Sequence, residues 1–218
     1  METPEFRLPD GETADRLLRQ TARGIAGAEL FTLLSVRRAH LPEGRLFAAE
    51  RGDGRLSVLY RAPDYTLRLE DGVFPYEGLR LLKLTRDRLP RPEGVAEMAL
   101  PDLLEAAALL AGGKLTAADE DRYVFKAKCL LDGFYCGFCV REEGELVSMA
   151  AIVARNEDSA LLGDVFTRPD RRGRGLAARC VAAAARCAAR QNKTLWALCE
   201  EQNVPFYEKL GFEEVNDL

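Results

Sequence analysis

The residues best suited to chemistry lie in one stretch, Val165-Phe166-Thr167-Arg168-Pro169-Asp170-Arg171-Arg172-Gly173-Arg174-Gly175-Leu176-Ala177. An extended segment gives way here to a turn rich in glycine and arginine, and then to the start of a helix. Free amides at a helix N-terminus, approached closely where glycine carries no side chain, make an anion site that fits a pyrophosphate. Arg172 and Arg174 add positive charge. Two other phosphate motifs compete for the same residues. Gly173-x-Gly175-x-x-Ala178 satisfies the dinucleotide form G-x-G-x-x-[GA], with Glu200 or Glu201 after the next strand. The stretch from Arg168 to Arg172 nevertheless separates the strand from the glycines, and too little chain follows for a doubly wound sheet. A Walker loop is excluded because no G-K-[ST] occurs.

A second group follows downstream in Asn203-Val204-Pro205-Phe206-Tyr207-Glu208-Lys209-Leu210-Gly211-Phe212. Together the two groups carry a family likeness. Arg172-x-x-Gly175-x-Ala177 matches the R/Q-x-x-G-x-G/A signature of the GNAT acetyltransferases, and Asn203, Tyr207 and Gly211-Phe212 resemble that family's second signature. The likeness runs from about Val95 to Phe212. It is nearest to the group with V-Y-T-P-P-x-x-R-G before the helix, where this chain reads Val165-Phe166-Thr167-Arg168-Pro169-Asp170-Arg171-Arg172-Gly173. In such proteins the preceding half often resembles a degraded copy of the same fold.

The resemblance implies acetyl-CoA as cosubstrate and a primary amine, on a small molecule or peptide, as acceptor. The strand backbone at Val165, Phe166 and Thr167 would pair with the pantetheine arm. The amides of Arg172, Gly173, Arg174, Gly175, Leu176 and Ala177 would hold the pyrophosphate, with Asn203 and Phe206 beside the cofactor. Asn203 could also cap the helix beginning at Val204. A lysine-type amine of pKa ~10.4 is protonated about 2,500 to 1 at pH 7, so freeing it costs roughly 4.6 kcal/mol and calls for a base or a desolvating pocket. Asp164, directly before Val165, is the acid nearest the family's catalytic strand position; a water chain would serve equally, and a plain surface aspartate is the alternative. Tyr207 stands where the family's tyrosine protonates the departing thiolate, against the alternative of an aromatic packed beside Phe206. An acyl-CoA-binding module for sensing or scaffolding is the main rival to an enzyme.

Other reactive residue types carry less. Cys136 and Cys139 sit three apart on an extended segment and point to opposite faces, so they suit neither zinc nor redox chemistry, and no metal site is expected. Cys180 and Cys187 read as packing residues of a helix. His40, the lone histidine, lies in the first half and away from any serine or cysteine nucleophile of the second. Trp196 reads as strand core.

These residues need elements to position them. Apolar spacing predicts helices around Leu17 to Ile25 and Leu30 to Leu34, strands at 45–50 and 55–61 joined across Gly52-Asp53-Gly54, a strand at 65–70 and a helix at 76–84. Pro90-Arg91-Pro92 breaks the chain, which places the boundary between an N-terminal α/β unit, 1–92, and a GNAT domain, 94–218. The second unit reads as a strand at 95–100, a helix opened by Pro101, a helix from Thr116 to Leu131, and strands at 134–141, 145–155 and 160–167. After the turn come an alanine-rich helix from Gly175 to Arg190, a strand at 194–200 and a short helix at 204–210. The small face Ala177, Val181, Ala184 and Ala188 suits close packing on a sheet, and Arg179, Arg186 and Arg190 suit solvent. Together this is an α/β chain with a mixed sheet. Only six residues follow Phe212, too few for the last strands of such a sheet, which leaves the N-terminal half or a second subunit, in a homodimer, to complete it.

The 218 residues are 47% hydrophobic and 30% charged, with net charge -4. That composition suits a globular enzyme and lacks the basic field of a nucleic-acid or anionic-membrane binder. No apolar run nears the ~18 residues of a membrane span and no secretory h-region opens the chain, so a cytoplasmic protein with reduced thiols is expected.

Overall fold

The computed structural model describes residues 11–37, 46–50, 55–61, 66–69, 79–112 and 117–215. Two helices come first, α1 (Gly11–Thr21) and α2 (Ile25–Arg37), followed by β1 (Leu46–Glu50), β2 (Leu56–Arg61) and β3 (Thr66–Leu69), which form an antiparallel three-stranded sheet. Then come β4 (Arg80–Leu84), β5 (Ala96–Glu97), α3 (Leu100–Leu110), α4 (Ala117–Leu131), β6 (Cys136–Glu142), β7 (Glu145–Arg155), β8 (Ser159–Thr167), α5 (Leu176–Arg190), β9 (Thr194–Cys199), α6 (Val204–Lys209) and β10 (Phe212–Glu214). His40 and the Gly52-Asp53-Gly54 turn lie outside the described residues.

A seven-stranded sheet orders as β10-β4-β9-β8-β7-β6-β5. Only the β8–β9 pair is parallel. Helix α5 covers one face, where Val181, Ala184 and Ala188 lose all solvent contact against Phe138, Val140, Ala150 and Leu162. Their small side chains let helix and sheet approach closely. Helices α3 and α4 cover the other face over Cys139, Met149 and Ala151, and α2 extends that layer over Leu81, Ala154 and Leu161. Buried from both sides, β7 reads as the unbroken apolar run from Leu146 to Ile152, save for Ser148. Cys136 falls on the α5 face and Cys139 on the α3/α4 face.

The helix expected at 76–84 is a strand over its described part, Arg80–Leu84. The neighbours Leu81 and Leu82 are buried on opposite faces, which a strand enclosed in the middle of a sheet permits and a one-sided helix does not. β4 answers the question raised by the short C-terminus: it slots between β9 and β10, pairing Leu82 with Ala197 and Leu84 with Phe212. Although it precedes Pro90, it belongs to the large sheet, so a cut at 92 separates this strand from the sheet it completes. The expected strand at 95–100 shrinks to Ala96–Glu97, because α3 begins at Leu100 with Pro101 in its first turn and the Asp102 carboxylate accepting the Ala99 amide at 2.7 Å.

Gly211 shows why the Gly-Phe pair is needed. Its φ is +97°, its carbonyl accepts the amides of Thr85 and Arg86, each at 3.1 Å, and a Cβ there would lie 1.9 Å from the Arg86 carbonyl oxygen. Only glycine permits this approach.

Candidate active site

Strand β8 carries the site's framework. It pairs with β9 only from Ser159–Thr194 to Leu162–Ala197, and beyond Leu162 the edge facing β9 is unpaired. Gly163 to Thr167 therefore present a backbone edge that β9 does not pair, running towards the turn. On the other edge, Met149 faces Phe166 and Ala151 faces Gly163, so Asp164 and Val165 together oppose the single residue Ala150. This is a β-bulge, with Asp164 in the left-handed region at φ +49°. The bulge resets the alternation: Val165 returns to the α5 face with Leu162, while Phe166 joins the α3/α4 face.

At the end of β8 a single 3₁₀ turn, Pro169–Arg171, leads to Gly173 and Gly175, with φ of +77° and +73°. Nothing among the described residues lies within 4 Å of a Cβ built on either glycine, so the turn is uncrowded at both positions. Among the described residues the amides of Gly173, Arg174, Gly175, Leu176 and Ala177 donate to no protein acceptor. Five successive amides without a partner among the described residues, at the positive end of a fifteen-residue helix, correspond to the cradle read from the sequence.

The arginines divide unequally. Arg171 and Arg174 both reach Glu142, at 3.0 Å and 2.8 Å, and their hydrogen bonds and charge, Arg174 foremost, hold the Glu142 carboxyl below its ordinary range. Arg168 bonds to Glu145 and, at 3.3 Å, to Asp170. Arg172 contacts no carboxylate among the described residues, and its Nε donates to the Thr167 carbonyl at 3.3 Å. Arg174, expected to add positive charge at the turn, is therefore largely neutralised by Glu142, and Arg172 keeps its charge.

Tyr207 reaches the same core from α6, beside Val165 of β8. It is 6% exposed and packs edge-on against Phe206 and Phe212, with ring centroids 5.0 Å and 5.4 Å away, in the core that also holds Val165, Cys199 and Leu176. Its hydroxyl has no protein partner among the described residues, which is unusual for a buried tyrosine. Burial, and then the nearby Cys199, push its pKa upward, so the phenol keeps its proton. Asn203 is exposed and makes no capping bond to α6, so the capping role is not realised.

Asp164 lies elsewhere. Its carboxylate turns to the α4 side of the sheet, where Lys126 Nζ donates at 2.7 Å and the Tyr135 hydroxyl at 3.1 Å. Tyr135 is 1% exposed, and burial, aided by the Asp164 charge, holds its hydroxyl protonated. The structure thus brings Val165, Phe206 and Tyr207 into one core, gathers residues 172–177 around the cradle, and sets Asp164 across the strand with two partners that sequence reasoning missed. Lys126 lies 38 residues from Asp164, and no spacing signals the pairing. Thr167 and Ser148 share a 2.8 Å hydroxyl contact that fixes the exit of β8.

A model of the acetyltransferase (GNAT) family matches residues 101–212, just over half of the chain. The chain belongs to the GNAT acetyltransferase family. Its fold agrees with solved structures. A putative GNAT acetyltransferase from Novosphingobium aromaticivorans is 21% identical, with 84% of this chain and 76% of that one covered, at TM-score 0.52. A tandem GNAT protein from the clavulanic acid biosynthesis pathway covers 97% of this chain and 95% of its own at TM-score 0.57 and 17% identity. A Drosophila protein covers 98% and 96% at TM-score 0.58 and 15% identity. The last two carry the fold likeness through the N-terminal half as well. A search of curated proteins by sequence finds no match. Among the described residues of this GNAT chain, no helix is long and apolar enough to cross a membrane, and no three His, Cys, Asp or Glu side chains gather as metal ligands would.

Proposed function

We propose that this GNAT chain transfers an acetyl group from acetyl-CoA to a primary amine. The observation that carries the reading is the continuity of the amides at 173–177 and the β8 edge beyond Leu162 with the Tyr207 hydroxyl, none of which has a partner among the described residues. The pyrophosphate would occupy the cradle with Arg172 beside it, and the pantetheine arm would lie along Val165 to Thr167 as a strand does. The Gly173 and Gly175 turn leaves the room this needs.

In this reading the amine nitrogen attacks the thioester carbonyl carbon, the carbon–sulfur bond breaks, and the sulfur leaves with the electron pair. Tyr207 supplies the proton that makes it a thiol. The proton lost by the amine leaves by Asp164 or by water. Asp164 accepts two hydrogen bonds already, and an ionised carboxylate has about four acceptor positions, so capacity remains.

The test is a panel of primary amines with acetyl-CoA, followed by chromatographic detection of CoA and acetylated amine, beside calorimetric titration of CoA. Transfer supports the reading. Tight CoA binding with no transfer to any amine identifies a binding module instead, and protection from thermal unfolding by NAD(H) but not CoA would revive the dinucleotide reading of Gly173-x-Gly175-x-x-Ala178.

A further inference from the structure

We propose that Lys126 is itself an acetyl acceptor, so that the chain acetylates its own α4. The inference rests on the acetyl-CoA reading above. A ligand whose pyrophosphate sits at the turn can lie back along β8 only as far as its free edge allows. That edge starts at Thr167 and ends at Leu162, where the pairing with Ala197 closes it. Asp164 and Val165 share one step of the strand at the bulge, so at ~3.3 Å per step Asp164 is about 7 Å along the strand from Thr167 and stands next to the closed end. The reacting end of the ligand meets the sheet there, and a primary amine is already in place: Lys126 Nζ, 2.7 Å from Asp164 Oδ2.

Three features suit this amine to the role. Its partner Asp164 is the acid at the bulge and can take the ammonium proton. The Lys126 and Asp164 side chains are 26% and 15% exposed, half-buried rather than sealed, so the amine can leave the ion pair. A four-carbon stem lets the nitrogen swing from the α4 face towards the strand's free edge. The neutral amine forms a bond to the thioester carbonyl carbon, the carbon–sulfur bond breaks, and the thiolate takes the Tyr207 proton; the nitrogen's second proton passes to water, which restores the Tyr207 proton, while the proton taken by Asp164 is released to solvent. The products are Nζ-acetyl-Lys126, free CoA and one proton. Acetylation abolishes the Lys126 charge and its ion pair, and leaves the Asp164 carboxylate to Tyr135 alone and open to an incoming ammonium.

The test uses the full chain with isotope-labelled acetyl-CoA and no added acceptor, with peptide mass spectrometry over time and CoA affinity measured in parallel. Held next to the thioester, Lys126 should be labelled at least about tenfold faster than Lys128, an exposed lysine on the same helix. The rate should be independent of protein concentration, should fall in Tyr207→Phe, and the label should be absent from Lys126→Arg. If CoA binds and amines are acetylated while Lys126 is labelled no faster than Lys128, the inference fails and the proposed function stands. Labelling that ignores Tyr207→Phe, or that slows on dilution, overturns it too, as chemical or intermolecular acetylation. A chain that does not bind CoA sinks both readings.

Discussion

Replacing Tyr207 with phenylalanine separates catalysis from packing in one residue. The ring would keep its edge-on contacts with Phe206 and Phe212, and the lost oxygen has no protein partner among the described residues. No hydrogen bond is broken, so stability should change by less than ~1 kcal/mol, and for a chain of this size the melting temperature by less than about 4 °C. The rate should behave otherwise. A general acid contributes ~100 to 10,000-fold, and a thiol of pKa near ~8.5 leaves tolerably without help, so a loss near the lower end is expected. A hundredfold loss corresponds to about 2.7 kcal/mol of transition-state stabilisation. The assay is steady-state CoA release with the best amine of the panel, beside thermal unfolding of both proteins. Under the proposed acid role the hydroxyl acts on the departing sulfur, so kcat should fall while the affinity for acetyl-CoA holds within about twofold. An unchanged kcat in a variant that still binds acetyl-CoA refutes the acid role. A fall in kcat matched by a melting point lowered by more than 10 °C, well past the ~4 °C bound, would assign Tyr207 to packing instead.

Three further outcomes follow from the same geometry. Arg172→Ala removes the turn's cation that pairs with no carboxylate among the described residues, and a charge-assisted hydrogen bond of ~1.5–3 kcal/mol translates to CoA binding weakened about 10- to 150-fold, measured by calorimetry. Glu142→Gln should do the reverse, because it releases Arg171 and Arg174 towards the phosphates: affinity rises by less than about tenfold, and the gain shrinks at high salt. Burial raises the thiols of Cys136 and Cys199 from 9.0 to about 11 and Cys180 to about 12, and raises the phenols of Tyr135 and Tyr207 above 10.0. Groups with raised folded pKa values bind more protons folded than unfolded. Their contribution is complete below pH 9 and declines as pH climbs towards 12, so denaturant midpoints should fall across that window, less steeply in Cys180→Ala.

What could be read from sequence was local. The turn at 165–177 was legible because its glycines, its charge and the helix after it are contiguous, and α5 because three alanines and a valine recur on one helical face. The bulge at Asp164 was hidden, since it exists only by comparison with Ala150 on the neighbouring strand. The neutralisation of Arg174 was hidden as well, because its partner Glu142 lies 32 residues away at the end of β6. β4 misled for a related reason. Adjacent apolar residues such as Leu81 and Leu82 do not reveal a period, and the choice between helix and strand was made by two flanking strands drawn from the far end of the chain.

That strand bears on how the two halves of the chain cooperate. β4 holds β10 to the sheet, and β10 carries Phe212, whose ring supports Tyr207. The N-terminal half reaches the opposite face too: Thr32 of α2 exchanges hydrogen bonds of 2.9 and 3.0 Å with the Arg155 backbone, and Phe31 meets Phe134 beside Tyr135 at 6.4 Å between centroids. The proposed acid is therefore braced through β4, and the sheet face that holds Asp164 is walled in part by α2. Substitutions in α2 or β4 that leave every residue of the cradle intact should reach the chemistry through these supports. The Gly211 contact offers the sharpest case, since an alanine there combines a left-handed strain of ~1–2 kcal/mol with ~1–3 kcal/mol of overpacking against Arg86. A melting point lowered by roughly 4–20 °C together with lost transfer would follow from β4 and β10 being one support. A Gly211→Ala protein with normal stability and normal transfer would show that the N-terminal strand is incidental to the site.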